Sequence, residues 1–393
     1  MDASQNPLGG VLKGQPLEVD IPAIEEELRE LWKGAAQADS TDPESEGVVA
    51  RASVLNLVVW TEDATQESSL TETISELTVQ NPCRAIVVTA VAGEDNLKME
   101  AWISAHCHRP SPASKVMCCE QISLRGSGGA GRELAATTIP FLISDLPVFV
   151  WWKGGRFFDS EFLKAISSVC DRLILDSKTF ASPESDFAQL EEYIKAHHSR
   201  SAVSDVAWHR LMQWRELASQ FFDPPVLRDH LEHIEHVTVE YNKRVVDGSG
   251  VPPQAYLLLG WLGSRLHWEV LGAEIGNEER RFHLCPKAGG HGITAVVRPA
   301  DARLELSGHL VSFGLRTGEE WSTTFRIGKG EDPNCAQTEI AFANLPPFLR
   351  TVPLRIYNEV ELIARQLEIF SHDQIYEESI QMAAALVRAL KRP

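Results

Sequence analysis

The sequence feature that most constrains the fold is an alternation of strand-like and helix-like segments between residues 51 and 197. Val54–Trp60 and Arg84–Val91 are apolar runs typical of buried strands, and Thr65–Gln80 between them has helical spacing. Lys98–His108 and Lys115–Arg125 are predicted to form an antiparallel hairpin. The pattern predicts an α/β domain, a mixed sheet flanked by helices, over residues 48–225. Its remaining predicted elements are helices at 133–143, 159–169, 182–197 and 204–222 and strands at 148–152 and 172–176.

The two ends of the chain have different patterns. Residues 1–47 supply an amphipathic helix that begins near Asp20 and a polar, acidic connection that is expected to be flexible. After Pro224-Pro225, residues 226–393 are predicted to form an α+β domain with an antiparallel sheet and two terminal helices. The predicted strands lie at 237–241, 282–285, 294–298, 303–312 and 323–327, and the predicted helices at 256–268, 356–370 and 372–390.

The charge balance excludes some classes of partner. Thirty-seven Lys and Arg against 55 Asp and Glu give a net charge of −18, and such a surface repels phosphate backbones and anionic membranes. We therefore expect neither nucleic-acid nor membrane binding. The N-terminal residues have no apolar run typical of a secretory signal, so a cytoplasmic location is expected. Seven cysteines without scaffold-like spacing fit mostly free thiols.

A glycine-rich loop at Gly126–Gly131 has the spacing G-x-G-x-x-G between a predicted strand and a predicted helix. A dinucleotide site requires this context, and an acidic residue at the end of the next strand to bind the ribose. The next strand ends in Lys153 instead. Two interpretations stay open, a flexible loop or a phosphate-binding loop of an enzyme for dinucleotides or sugar phosphates.

Cysteines and histidines cluster in the predicted hairpin, where thiolates and imidazoles could bind zinc. Because side chains alternate along a strand, Cys107 faces away from His106, and Cys118 faces away from Cys119. This geometry favours buried cysteines over a metal site. A redox pair of Cys107 and Cys118 stays possible, because a hairpin could bring the two thiols together.

A tryptophan pair suggests a surface for a partner protein. Trp151 and Trp152 end a strand, so their side chains face opposite ways, and one of them could be exposed beside Arg156. The alternative is that flanking helices cover both indoles. The C-terminal helix Ile375–Leu390 is a second candidate surface, since its apolar stripe could dock in a groove or pack on its own domain.

Six blocks of sequence, taken in order, resemble one known family. They are Asn56–Val59, Asn81–Ile86, Cys118–Ile122, Asp145–Trp152, Asp171–Ser177 and Trp208–Arg215. As a set they are similar to the glucose-6-phosphate dehydrogenase assembly protein OpcA family. The resemblance covers about residues 51 to 222.

The resemblance implies a non-catalytic protein that binds glucose-6-phosphate dehydrogenase, favours its assembled state and raises its activity in the oxidative pentose phosphate pathway. It implies no catalytic residue, no cofactor and no metal site in this chain. The chain also lacks the G-x-S-x-G, P-loop and C-x-x-C motifs of common hydrolases, nucleotidases and thiol oxidoreductases.

Overall fold

The computed structural model describes residues 16–39, 50–92, 98–108, 116–127, 131–154, 157–242, 250–300, 310–330, 332 and 334–391, with the backbone alone for 34–39. The chain divides into two compact units. Unit 1 comprises Met1–Asp176, His197–Ser204 and Asn358–His372; unit 2 comprises Ser177–Ala196, Asp205–Tyr357 and Asp373–Pro393. The predicted domain boundaries near residues 48 and 225 are not tested by this division into compact units, and they stay predictions.

The described residues form the following elements in chain order. The strands are β1 Leu17–Val19, β2 Ala50–Arg51, β3 Leu55–Thr61, β4 Cys83–Val91, β5 Met99–His108, β6 Met117–Ser127, β7 Val148–Lys153, β8 Arg172–Leu175, β9 Ala202–Asp205, β10 Ile234–Asn242, β11 Trp268–Ile275, β12 Arg280–Pro286, β13 Ile293–Ala300, β14 Leu310–Thr317, β15 Thr323–Lys329, β16 Cys335–Phe342 and β17 Phe348–Pro353. The α-helices are α1 Ile24–Asp39, α2 Glu67–Gln80, α3 Gly131–Thr138, α4 Glu161–Ile166, α5 Pro183–His197, α6 Val206–Arg210, α7 Met212–Gln220, α8 Pro225–Arg228, α9 Pro253–Arg265, α10 Glu359–Leu367 and α11 Gln374–Ala389.

Unit 1 is built on a sheet with the strand order β1-β5-β6-β4-β3-β7-β8-β9, in which β2 also pairs with β6. From β6 to β8 neighbouring strands are parallel, whereas β5 runs antiparallel to β6. All seven residues of β3 are buried, as expected for a parallel strand covered on both faces. The six strands from β6 to β9 follow the order 3-2-1-4-5-6 of the Rossmann fold.

Helices cover both faces of this sheet. On one face, Phe162 of α4 stacks on Trp60 of β3, and Leu134 of α3 lies against Gly126 of β6. On the other face, Thr71 of α2 accepts a hydrogen bond from Gln121 of β6. Helix α10 belongs to this second face, where Glu359 forms an ion pair with Lys153. The C-terminal part of the sequence thus completes the core of unit 1.

A buried carboxylate fixes the N-terminal helix on the sheet. Glu120 of β6 is fully buried and accepts hydrogen bonds from Trp32 Nε1 (2.5 Å), Arg51 Nη2 (3.0 Å) and Arg84 Nε (2.8 Å). Arg84 also donates to Glu25 Oε1 of α1 (2.7 Å). Because the buried carboxylate and the buried guanidinium are both satisfied, the pair is tolerated in the interior.

Unit 2 contains a sheet with the order β11-β12-β13-β10-β14-β15-β16-β17, antiparallel except for the pair β10–β13. Its strands alternate between buried residues and partly exposed ones, so one face carries the core. Helices α9 and α11 pack closely, and Gly260 of α9 faces the backbone of Ser379 and Ala383.

The structure confirms the predicted fold class, a mixed α/β sheet with flanking helices followed by a largely antiparallel α+β sheet. It also confirms the predicted hairpin, which is the pair β5–β6. The single predicted helix at 204–222 is wrong. The segment instead begins with the end of β9, whose last residue Asp205 caps α6. The helical part is then interrupted at Leu211, which separates α6 from α7. None of the described helices is long and apolar enough to cross a membrane.

Candidate functional site

The centre of the unit 1 sheet is where a fold of this strand order binds its ligand. Open α/β sheets bind ligands beyond the carboxyl ends of the strands, at the point where the strand order reverses. Here the chain leaves β3 for β4 on one side and later returns to β7 on the other. We call the ends of β3 and β7, with the loop Thr61–Gln66, the switch point.

Aromatic side chains fill the switch point on the side of α4. Trp60 and Trp152 are paired across β3 and β7, and their rings stack with centroids 5.2 Å apart at an interplanar angle of 18°. Phe162 of α4 stacks on Trp60 with centroids 4.4 Å apart. The two indoles are 3% exposed and Phe162 is fully buried. Offset aromatic stacks of this kind are well-packed core, so this side of the switch point is occupied by the protein itself.

A carboxylate occupies the start of the helical segment that follows β3. Asp63 accepts hydrogen bonds from the Thr65 backbone N–H (2.9 Å), the Thr65 hydroxyl (2.6 Å) and Gln66 Nε2 (3.0 Å). These bonds, the one from the Thr65 hydroxyl above all, lower the pKa of Asp63, so it is a carboxylate at neutral pH. In dinucleotide-binding proteins this helix start holds the pyrophosphate. Here the Asp63 carboxylate already accepts from the Thr65 backbone N–H, and its negative charge repels phosphate.

The glycine-rich loop Gly126–Gly131 follows β6, the third strand of the Rossmann order, whereas the dinucleotide fingerprint follows the first. A Cβ on Gly126 would lie 3.0 Å from the side chain of Leu134, and one on Gly131 would lie 3.3 Å from the backbone nitrogen of Phe162. These two glycines therefore allow close packing of α3 on β6 and α4. Residues 128–130 lie outside the described residues.

Both tryptophans of the predicted partner surface are buried in unit 1, Trp151 at 2% exposure and Trp152 at 3%. The expectation of an exposed indole is wrong, because helices cover both faces of a parallel sheet, and the alternative of two covered indoles is correct. Arg156 lies outside the described residues. A partner-binding role for Trp151, Trp152 and Arg156 stays a prediction. The predicted helix at 375–390 corresponds to α11, whose apolar stripe packs within unit 2.

Cys107 and Cys118 face each other across the β5–β6 hairpin and form a disulfide. His106 lies on the opposite face of the hairpin, where it is hydrogen-bonded to Gln121 at 2.8 Å. The cysteines and histidines considered as zinc ligands therefore do not converge on one site. Burial raises the pKa of the Cys119 thiol to about 11 and that of Cys170 to about 12, which makes both poor nucleophiles at neutral pH. A redox role for Cys107 and Cys118 stays a prediction.

Sequence reasoning did not single out Trp60 and Asp63, two residues that lie at the switch point. Both carry a usable signal. Asp63-x-Thr65 before a helical segment is a capping pattern, and Trp60 ends the first strand of the order just as Trp152 ends the fourth. To recognise these two residues one must know that β3 and β7 are neighbours in the sheet, and a local sequence pattern does not show this.

The strand order and the flanking helices define a Rossmann-like α/β protein, and buried aromatic side chains lie at its switch point. Residues 74–192 match the family model described as "Glucose-6-phosphate dehydrogenase subunit N-terminal domain", and residues 201–380 match the corresponding C-terminal domain. The chain belongs to the OpcA family.

Two relatives carry the name "Putative OxPP cycle protein OpcA". The one from Nostoc punctiforme is 29% identical over 80% of this chain and 67% of its own length. The one from Synechocystis is 27% identical over 82% of this chain and 66% of its own length. The chain therefore spans about two thirds of the length of these relatives.

Solved structures show similarity of fold alone. Glucose-6-phosphate 1-dehydrogenase from Mycobacterium avium has a TM-score of 0.51 at 9% identity, covering 86% of this chain and 91% of that one. An oxidoreductase from Sinorhizobium meliloti has a TM-score of 0.50 at 12% identity, covering 86% of this chain and 98% of that one. These likenesses place the chain among Rossmann-like folds.

Proposed function

We propose that this chain is a non-catalytic partner of glucose-6-phosphate dehydrogenase, which it binds and holds in its active oligomer as an allosteric activator in the cytoplasm. The observation that carries the proposal is the match of both family models, which describe the two domains of a subunit of that dehydrogenase. The names of the relatives from Nostoc punctiforme and Synechocystis, which refer to the oxidative pentose phosphate cycle, support the same assignment.

The switch point supports a role without catalysis. An oxidoreductase of this fold needs a free helix start for the pyrophosphate and an open crevice for the nicotinamide. In this chain the Asp63 carboxylate lies at that helix start and accepts from the Thr65 backbone N–H, and the buried stack of Trp60, Trp152 and Phe162 lies beside the ends of β3 and β7. The alternative, an enzyme that binds a dinucleotide or sugar phosphate at Gly126–Gly131, is not favoured, because both described glycines at the loop ends are tightly packed.

The mechanism of such a partner is a shift of populations. If the chain binds one oligomer of the dehydrogenase more tightly than another, it raises the fraction of that oligomer by the ratio of the two affinities. A tenfold shift requires only about 1.4 kcal/mol of differential binding. A modest difference in contacts is therefore sufficient.

The test measures dehydrogenase turnover against glucose 6-phosphate concentration, with and without this chain, together with the mass of the complex in solution. We expect a lower half-saturation concentration and a heavier species that contains both chains. Unchanged kinetics and unchanged mass at micromolar concentrations of both proteins would rule out the proposal.

A further inference from the structure

The helices of unit 2 pack on one face of its eight-stranded sheet. Phe221, which follows α7, packs on Phe325 of β15 with ring centroids 5.4 Å apart. Tyr256 of α9 packs on Phe282 of β12 with ring centroids 6.3 Å apart. Phe282 and Phe325 are fully buried, so the face that carries them is the core face.

The opposite face of this sheet, which we call the open face, is not covered by a helix in the described part of the chain. Because side chains alternate along a strand, the open face is formed by the residues that lie between the core residues. The strand register places one row of eight residues side by side across it, and all eight are exposed or half-exposed. In order, the row is Glu274, Arg281, Val296, Thr238, Gly314, Arg326, Glu339 and Leu349.

The open face is large enough for a stable contact with another protein. Eight strands about 4.8 Å apart, each about seven residues long at about 3.3 Å per residue, form a surface of roughly 35 by 23 Å, or about 800 Å². A stable protein–protein interface buries about 800 Å² on each partner. The area therefore fits a second sheet that stacks on the first one face to face.

The charges on the open face are balanced. The register of the described strands places four arginines and four glutamates on it, namely Arg281, Arg298, Arg316, Arg326, Glu240, Glu269, Glu274 and Glu339. The chain as a whole has a net charge of −18. Two copies of such a chain repel each other, and this repulsion is smallest where the contacting surfaces are neutral. A balanced face is therefore suited to a second copy of this chain.

Several of these charges already have partners within the face. Arg298 Nη2 donates to Glu240 Oε1 at 2.7 Å, and the Ser312 hydroxyl donates to the same carboxylate. Arg326 lies directly opposite Glu339 in the register of β15 and β16. Because charges with partners can be covered without leaving an uncompensated charge, a second sheet can cover this face at a lower cost.

Two glycines on the open face indicate that a second backbone comes close. Gly314 of β14 and Gly328 of β15 lie within strands, where glycine is unfavourable. Neither has a positive φ. A Cβ on Gly314 would lie 3.7 Å from the carbonyl oxygen of Phe325, and one on Gly328 would lie 4.0 Å from Arg326 Cζ, which are ordinary contacts. The described residues therefore do not require glycine at these positions, whereas a closely stacked second sheet would.

We propose that the open face binds the open face of a second copy of this chain, which gives a two-fold symmetric dimer of stacked sheets. The uncharged residues Val296, Thr238 and Gly314 form the centre of the contact. The arginines and glutamates on both sides of them form its polar rim, the usual arrangement of a protein interface. The proposal does not depend on the dehydrogenase and is tested on this chain alone.

The experiment is analytical ultracentrifugation of the full chain at concentrations from about 0.5 to 50 µM. We expect a species of twice the chain mass with a dissociation constant of about 1 µM or tighter, because interfaces of this size range from micromolar to picomolar affinity. A chain that stays monomeric at about 50 µM would overturn the proposal. If that monomer binds the dehydrogenase and Thr238→Lys abolishes the binding, the open face contacts the enzyme and not a second copy.

A charge at the centre of the open face tests its position. Thr238→Lys places an ammonium group without a partner between the stacked sheets and should weaken the dimer at least about tenfold. The residue is half-exposed in the single chain, so the variant should fold. The matched control Thr238→Val keeps the shape of the side chain without a charge and should leave the dissociation constant within about threefold.

A second pair of variants separates dimer formation from folding. Gly314→Val should hold the two sheets apart and weaken the dimer at least about tenfold, while the β-branched side chain should maintain or raise the melting temperature of the monomer. The control Gly250→Val lies outside the sheet, where a Cβ meets nothing within 4 Å, and should leave the dimer unchanged. A dimer that neither Thr238→Lys nor Gly314→Val weakens uses another surface, and this result would overturn the proposal.

Discussion

At the scale of residues, the packing of Trp152 shows what this side chain contributes to the centre of unit 1. Trp152 stacks on Trp60 and contacts Phe157, and it is 3% exposed. On sequence alone, its position at a strand end beside Arg156 suggested a contact with a partner. Because Trp152 is stacked and buried, we expect its side chain to stabilise the fold of unit 1 and not an interface. A buried indole stabilises a core in proportion to the apolar area that it removes from water.

Trp152→Ala should therefore lower the free energy of unfolding by about 3 to 5 kcal/mol, the usual cost of removing a large buried aromatic. Urea unfolding measures it. The control Val79→Ala, at a site that is 52% exposed, should cost less than about 0.5 kcal/mol. If Trp152→Ala instead keeps its stability and loses only dehydrogenase activation, the residue acts at an interface.

His106 makes the stability of unit 1 depend on pH. Burial lowers its pKa below the ordinary 6.5, and the hydrogen bond with Gln121 only partly offsets this. As pH falls below about 6.5, the unfolded chain takes up a proton before the folded one does, so the free energy of unfolding falls. Above that pH the stabilisation is fully present.

His106→Gln should reduce the drop in melting temperature between about pH 7.5 and 5.5 relative to the native chain. The control His198→Gln, at an exposed histidine of the same unit, should keep the native pH dependence. If the melting temperatures of His106→Gln and the native chain fall by the same amount across this pH range, the pH dependence does not come from His106.

At the scale of elements, the packing of α9 on α11 depends on a residue without a side chain. A Cβ on Gly260 would lie 2.5 Å from the carbonyl oxygen of Ser379 and 3.1 Å from the backbone nitrogen of Ala383. These are backbone atoms of a well-packed helix, which cannot yield as a flexible side chain would. The two helices must separate to accept even one methyl group.

Gly260→Ala should thus destabilise the chain by about 1 to 3 kcal/mol, although alanine favours helix by up to about 1 kcal/mol. Gly292→Ala is the matched control, since a Cβ at that position meets nothing within 4 Å. Thermal unfolding of the two variants should show a loss only for Gly260→Ala. A gain in stability for Gly260→Ala would mean that helix propensity outweighs the close contact.

Local patterns predicted the elements that bury an apolar face and missed those that depend on tertiary neighbours. The α/β alternation and the hairpin β5–β6 follow from periodicity and were predictable. Strand β9 is four residues long and runs directly into α6, so its helix-like surroundings concealed it. Strand β17 has almost no buried residue, and its sequence gives no alternation to detect.

For the molecule as a whole, a Rossmann strand order does not imply dinucleotide binding. The order sets where a ligand would lie, and the side chains at that place decide whether it can. A ligand that binds the folded chain raises its stability by about 2.7 kcal/mol at a hundred times its dissociation constant.

We therefore expect no change in melting temperature with about 1 mM NAD⁺. Differential scanning fluorimetry measures it. A concentration-dependent rise would reopen the switch point, or the loop Gly126–Gly131, as a nucleotide site.

The return of α10 to unit 1 has a consequence for biosynthesis. Arg172 Nη2 donates to the backbone oxygen of Ser371, and Phe149 packs on Phe370, so part of the core of unit 1 comes from residues beyond 357. At about 5 to 20 residues per second, a ribosome needs roughly 10 to 40 s to translate the segment between Asp176 and Asn358. During that time the part of the nascent sheet that α10 later covers stays open, and chaperones that bind apolar surfaces have a defined interval in which to act.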